Sequence, residues 1–247
     1  MLRPLASACA VVVLTGLAAC GGDDASTAAA EGGLTVFAAA SLTEVFETLD
    51  PDVTYSFAGS DELATQIREG APADVYAAAS PKYPQELFGE GIVEEPVVFA
   101  TNKLVVIVPK GNPAGISTVE DVAKQGVKLV IADEGVPVGD YTRTVLGTFG
   151  LDAALANVVS NEADVKGVVG KVALGEADAG FVYATDATTA AEDVEVIEIP
   201  ATAQPPVEYQ IAVVADTERR DAAEAFLELL LGEEGQAVLT AAGFGLP

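Results

Sequence analysis

A strand that ends on small residues and turns straight into a helix is the feature that most constrains this chain. It occurs first at Phe37-Ala38-Ala39-Ala40-Ser41-Leu42-Thr43-Glu44. An alternating apolar run through Leu34 and Val36 stops in alanines, and a helical pattern follows. Ser41 with Glu44 three residues later reads as a capping box. A junction of this kind aims the free N–H groups of a helix start at the space beyond the strand end, which is the geometry of an anion site. The pattern returns at Phe57-Ala58-Gly59-Ser60-Asp61-Glu62-Leu63, ahead of the helical Leu63, Ala64 and Ile67. It returns again at Val136-Pro137-Val138-Gly139-Asp140-Tyr141, and at Glu162-Ala163-Asp164-Val165-Lys166-Gly167. These junctions offer backbone N–H groups that can surround a small anion, and the first two add serine hydroxyls.

Between the junctions, short apolar runs alternate with helical ones. Strands are predicted over 34–38, 53–57, 75–78, 104–108, 129–132, 180–183, 194–197 and 209–214. Helices are predicted over 42–49, 61–69, 84–88, 118–124, 140–149, 165–174, 217–231 and 233–242. Such alternation gives an α/β fold with mixed, mostly parallel sheets and helices on both faces. Phe99-Ala100-Thr101-Asn102-Lys103 and the Pro-rich 201–208 read as connections. Two crossings divide the chain into a discontinuous lobe 1, residues 34–101 plus 208–247, and an inserted lobe 2, residues 102–207.

Composition narrows the function. The chain has 247 residues and is 50% hydrophobic, so a sizeable core needs no staples. A net charge of −26 argues against nucleic acid, because phosphate binding wants clustered Lys and Arg. There is no histidine, which removes the commonest general base, the commonest metal ligand and the Ser-His-Asp triad together. An extracellular serine hydrolase built on Ser41 or Ser60 would need a lysine or carboxylate base instead. Neither serine sits in Gly-x-Ser-x-Gly or Ser-x-x-Lys. No Gly-x-x-x-x-Gly-Lys-Ser/Thr loop for nucleotide phosphates occurs.

The amino-terminal residues read as a secretory signal, residues 1–19: Arg3, then the small apolar stretch from Ala6 to Ala19. That stretch is shorter than the ~20 residues a membrane span needs. Leu17-Ala18-Ala19-Cys20 resembles a bacterial lipobox, which makes Cys20 the diacylated first residue of the mature protein. Cys9 lies in the signal, so the mature domain has no disulfide and no thiolate metal site. Residues 20–33 read as a lipidated cysteine and a flexible tether, holding the domain at the outer face of the cytoplasmic membrane.

Taken singly, each motif has an ordinary reading. Ser41 and Ser60 are N-caps, Pro137 and Gly139 make a turn, Asp164 caps a helix, and Tyr183 is a core aromatic. Taken together, they resemble the molybdate-binding proteins of ABC uptake systems. The segments that carry the resemblance run in order over essentially all of 34–247: Thr35 to Leu42, Phe57 to Ser60 with Gly70-Ala71-Pro72-Ala73-Asp74-Val75, Val136 to Tyr141, and Glu162 to Lys166 with Gly180-Phe181-Val182-Tyr183-Ala184-Thr185-Asp186. The resemblance implies a two-lobed periplasmic-binding-protein fold of type II with its ligand cleft between the lobes. It implies that Ser41 and Ser60 each give a hydroxyl and a backbone N–H, that Val138 and Val165 give backbone N–H groups, and that Tyr183 gives its hydroxyl. The ligand is molybdate or tungstate, without a cofactor. Metal then enters only as the oxyanion held by these residues, with no direct metal-cation ligands. The implied partner is an ABC permease with its ATPase, served by a monomeric receptor whose only membrane contact is the lipid on Cys20.

Two residues depart from the family pattern. Val138 stands where a smaller residue is usual. Asp61 stands where a small or hydroxyl residue follows the second serine. A carboxylate beside a poorly solvated dianion costs a few kcal/mol, so Asp61 is expected to point outward and favour the helix start. Pointing inward, it would accept a proton from phosphate. Molybdate is fully ionised at neutral pH and offers only acceptors, so a site made of donors fits it, whereas hydrogen phosphate brings a donor that needs an acceptor. Hydrogen bonds to a charged partner contribute ~1.5–3 kcal/mol each, so no lysine or arginine is required. Sulfate and phosphate are the alternative ligands. Iron receptors of this fold use adjacent tyrosines, and the six here are never adjacent. The acidic surface repels a dianion at long range, so association is expected to hold steady or speed up as salt screens it. A steep loss of on-rate with salt in stopped-flow mixing would count against a site of neutral donors.

Overall fold

The computed structural model describes residues 33–247. The predicted signal, Cys20 and nearly all of the tether lie outside the described residues. The first part of the chain runs β1 (Thr35–Ala39), α1 (Thr43–Leu49), β2 (Thr54–Ala58), α2 (Ser60–Arg68), β3 (Val75–Ala78), α3 (Lys82–Gly89) and β4 (Val97–Asn102). The middle part runs β5 (Leu104–Pro109), β6 (Leu129–Ala132), α4 (Pro137–Thr148), β7 (Val158–Glu162), α5 (Val165–Ala173), β8 (Ala179–Tyr183), α6 (Ala184–Thr189) and β9 (Val194–Glu198). It closes with β10 (Val207–Val213), α7 (Arg220–Leu231) and α8 (Glu233–Ala241).

The strands form two sheets on one plan. The first has the order β2-β1-β3-β10-β4 and the second β7-β6-β8-β5-β9. In the first, β2, β1 and β3 are parallel and β10 runs against β3 and β4. In the second, β7, β6 and β8 are parallel and β5 runs against β8 and β9. The chain passes from one sheet to the other at Lys103 and returns between Glu198 and Val207. This is a two-lobed α/β fold with helices on both sheet faces. In open α/β sheets a ligand sits outside the carboxyl ends of the parallel strands.

Strand alternation decides which helices cover which face. Along β1, Val36 and Ala38 pack in one cluster with Phe46 of α1, Phe226 and Leu230 of α7, and Leu239 of α8. Phe37 points the other way and packs with Leu63 and Ile67 of α2, Tyr76, and Leu87 of α3. Burial of each such side chain contributes about 1.5–3 kcal/mol, and a one-residue slip of β1 would exchange the two sets.

The fold departs from the sequence expectations at three places. The segment 99–103 is not a loop, because Val97–Asn102 is the edge strand β4, paired along β10 with Phe99 and Ala100 buried. Strand β7 went unpredicted because, as a half-exposed edge strand ending in Ser160-Asn161-Glu162, it shows little apolar alternation. The six-residue α6, Ala-Thr-Asp-Ala-Thr-Thr, is too short and too rich in threonine to give a helical period.

Candidate binding site between the two sheets

The carboxyl ends of the parallel strands of both sheets meet around one small cavity. Ser41 follows β1, Ser60 opens α2, Val138 is the second residue of α4, Val165 opens α5 and Tyr183 ends β8. All five are buried and all five line this cavity. Its volume is about 10 Å³, near the room of a single water on that measure, so the two halves stand closed over it. The closure is held on two sides. Tyr83 Oη donates to Gly135 O at 2.6 Å, beside a 3.3 Å pair of Lys82 with Asp140. Across the cavity, Lys166 Nζ donates to Glu44 Oε1 and Oε2 at 2.7 and 2.9 Å.

Three helix starts point into this space. Ser60 is the first residue of α2, whose N-cap is Gly59. Pro137 at the first position of α4 brings no N–H, leaving Val138 and Gly139 as the donors of that turn. Gly139 is required there, because a Cβ would press on the carbonyl oxygens of Ala132 and Asp133 at the end of β6. Asp164 caps α5 by accepting from Gly167 N at 2.9 Å, which leaves the N–H of Val165 for the cavity side. Each helix start carries the positive end of a peptide dipole.

The three hydroxyls are not caps. A single 3-10 turn, Ala40–Leu42, intervenes before α1, and Leu42 is the N-cap. The expected capping box is therefore absent: Ser41 Oγ lies 3.0 Å from Tyr209 Oη, and Glu44 reaches Lys166. Ser60 Oγ accepts from Ala79 N at 3.1 Å, which leaves its own proton to be donated. Tyr183 Oη is buried and has no hydrogen-bond partner. Burial holds its ionisation well above the ordinary tyrosine value, so it stays a donor. A buried donor without an acceptor costs about 1–3 kcal/mol, and this one faces a cavity whose wall carries no lysine or arginine. Asp164 is the one ionisable carboxylate of the wall, and its charge is spent on its own helix start.

Asp61 does not simply point outward. It lies outside the cavity wall, but its Oδ1 is buried without a partner, packed back against Gly59. Burial raises its ionisation above the ordinary carboxylate value, helped by the charges of Glu62 and Asp140, while the helix-start N–H groups of Asp61 and Glu62 oppose it.

Several residues around the site were invisible in the sequence. Tyr209 and Asn102 stand behind Ser41, and Ala79 N stands behind Ser60. Asp186 in α6 is only 2% exposed, with neither oxygen hydrogen-bonded and Lys166 Nζ 3.4 Å from Oδ1. Burial pushes its ionisation up to about 7, against the pull of Lys166. Asp186 closes a segment that carries the family resemblance, but nothing in the sequence marks its burial, and Asn102, Ala79 and Tyr209 have no motif of their own.

Comparison with known proteins shows the family. Residues 34–245 match the family model of the bacterial extracellular solute-binding proteins. A molybdate-binding protein of Mycobacterium tuberculosis is 34% identical over 251 residues, covering 96% of this chain and 95% of its own length. One of Escherichia coli is 31% identical, covering 87% and 89%. The solved periplasmic molybdate-binding protein of Azotobacter vinelandii superposes with a TM-score of 0.78 at 26% identity, covering 87% of this chain and 99% of its own. Among the described residues, no helix is long and apolar enough to cross a membrane. With two sheets closed over a wall of helix starts and these relatives spanning nearly its whole length, the chain belongs to the bacterial extracellular solute-binding proteins, in their molybdate-binding branch.

Proposed function

We propose that this protein is an extracytoplasmic receptor, not an enzyme, that holds molybdate or tungstate in the cavity between its lobes and delivers it to an ABC permease driven by an ATPase. The donors are the hydroxyls and N–H groups of Ser41 and Ser60, the N–H groups of Val138 and Val165, and the hydroxyl of Tyr183. The observation that carries the reading is Tyr183 Oη, a buried donor with no acceptor, in a wall without cationic side chains. Such a wall suits a fully ionised, acceptor-only anion. We further propose that residues 1–19 are a signal peptide, that Cys20 carries the lipid, that residues 20–33 are the tether, and that the receptor works as a monomer. Lobe 1 then comprises 34–101 plus 208–247 and lobe 2 comprises 102–207, closing as a hinge on the anion.

Thermal unfolding with molybdate, tungstate, sulfate and phosphate in turn tests the reading. A ligand that binds only the folded state adds about 4 kcal/mol of stability at a thousandfold excess over its Kd. The expected result is a large rise in Tm with molybdate and tungstate. A rise with sulfate or phosphate alone would keep the site and change its ligand. No rise with any of them would overturn the receptor.

Tyr183→Phe separates binding from folding. Molybdate affinity is expected to fall about 10- to 100-fold, the range of one hydrogen bond to a charged partner. The free protein is expected to keep or slightly gain stability, because the variant deletes a buried oxygen that has no partner. Equal losses in affinity and in free-protein stability, read by calorimetry and urea unfolding, would return Tyr183 to the core.

A further inference from the structure

The two strands that carry the chain between the lobes also bear a hydrogen-bonded series that ends on Ser41. Asn102 is the last residue of β4, and Tyr209 lies in β10 beyond the return crossing. The amide of Asn102 is held in one orientation, because its Oδ1 accepts from Lys103 N at 2.8 Å. Its Nδ2 therefore faces Thr185 Oγ1 at 3.0 Å and Tyr209 Oη at 3.5 Å. Tyr209 is fully buried and its Oη also lies 3.0 Å from Ser41 Oγ. With Asn102 donating to it, Tyr209 has one acceptor left for its own proton, and that is Ser41 Oγ. The reverse polarity would leave the Tyr209 proton buried without an acceptor, which is the costlier arrangement.

The geometry points to Tyr209, oriented by Asn102, as the specificity-determining residue that keeps Ser41 a donor toward the bound anion, so that the site rejects tetrahedral anions carrying a proton. This rests on the proposed role of Ser41 as a ligand donor. Ser60 is set the same way by Ala79 N, and Tyr183 has nothing but the cavity to donate to. With Tyr209 in place, all three hydroxyls present protons. An ionised MoO4 or SO4 dianion accepts from all of them, whereas a hydrogen phosphate dianion must turn its own proton against one. Sulfate and hydrogen phosphate match in charge and closely in size, so their affinity ratio isolates proton polarity from the size filter and from any change of local charge.

The experiment measures dissociation constants on the full-length protein at about pH 8, molybdate directly by calorimetry and sulfate and phosphate by displacement of molybdate. Tyr209→Phe keeps the ring packed edge-on to Tyr183, Phe99 and Phe244 and frees Ser41 to turn. The preference for sulfate over hydrogen phosphate is expected to fall about tenfold, with the ratio of molybdate to sulfate unchanged within about twofold. Asn102→Asp puts an acceptor where a donor stood, so Tyr209 donates to it and draws the Ser41 proton away from the cavity. The same preference is then expected to fall further, although every dianion binds more weakly. If both variants weaken sulfate and hydrogen phosphate by one common factor, Tyr209 acts only through packing and the inference is overturned. If the unaltered protein binds no molybdate, the receptor reading itself has failed, a result distinct from an unchanged ratio.

Discussion

Replacing Gly59 by alanine is expected to weaken molybdate binding about 10- to 100-fold while both lobes stay folded. Gly59 sits at the N-cap of α2 with φ −59° and ψ 139°, a conformation any residue adopts. The variant therefore carries no backbone strain of its own. The obstacle lies across the cleft, where an added Cβ would stand 2.6 Å from the carbonyl oxygen of Ala163, in the loop that leads into α5. It would also stand 2.7 Å from Asp61 Oδ1, which a rotating side chain can relieve. A carbonyl fixed just before a helix cap cannot move so easily. Overpacking of this sort costs about 1–3 kcal/mol, and the cost falls only on the closed form. An anion that needs closure loses that amount of affinity, since apparent affinity falls with the population of the competent state. Calorimetry gives the affinity, and urea unfolding without ligand shows whether the lobes are intact. Affinity within about twofold of the unaltered protein would mean that closure tolerates the methyl and that Gly59 is only a turn residue.

Gly59 also shows where the sequence can be read and where it cannot. The strand-to-helix junctions are legible because each is a local event: alanines end the strand, and Gly-Ser, Pro-x-Gly or Asp then starts a helix. Fold class and the five cavity residues follow from these junctions and from the family they resemble. What a serine does at such a junction is not local. Ser41 and a capping serine have the same neighbours in the chain, yet Ser41 faces Tyr209, 168 residues away. Asp61 is expected to point outward because a carboxylate beside a poorly solvated dianion is costly. One of its oxygens is instead buried, packed back against Gly59. Contacts made only when two halves of a fold meet leave no period or spacing in the chain. Strands β4 and β7 are edge strands with few buried apolar positions, so neither shows a clear alternating run.

Asp186 provides the second large effect, through pH. Burial raises its ionisation from the ordinary carboxylate value to about 7. Lys166 of α5 pulls it down, while Glu44 of α1 and Asp164 at the cap of α5 push it up, and the hydroxyls of Tyr183 and Tyr209 stay neutral nearby. In the unfolded chain an aspartate titrates near 3.9, as a reference value of about that size. The folded state therefore holds the proton more tightly. This group's contribution to stability is complete below about pH 4 and is lost as pH rises through about 7. The total is on the order of 4 kcal/mol, at about 1.4 kcal/mol for each unit of separation. Asp186→Asn removes the titration and keeps the shape. Relative to the unaltered protein, the variant is expected to gain stability steadily between about pH 4 and 7, and to be the more stable of the two at pH 8. The difference between the proteins is the quantity to follow, because the many surface carboxylates contribute equally to both. Urea unfolding across that range measures it. A difference that stays constant with pH would mean that Lys166 keeps Asp186 ionised throughout, the two working as a plain ion pair beneath the Glu44 contact that spans the lobes.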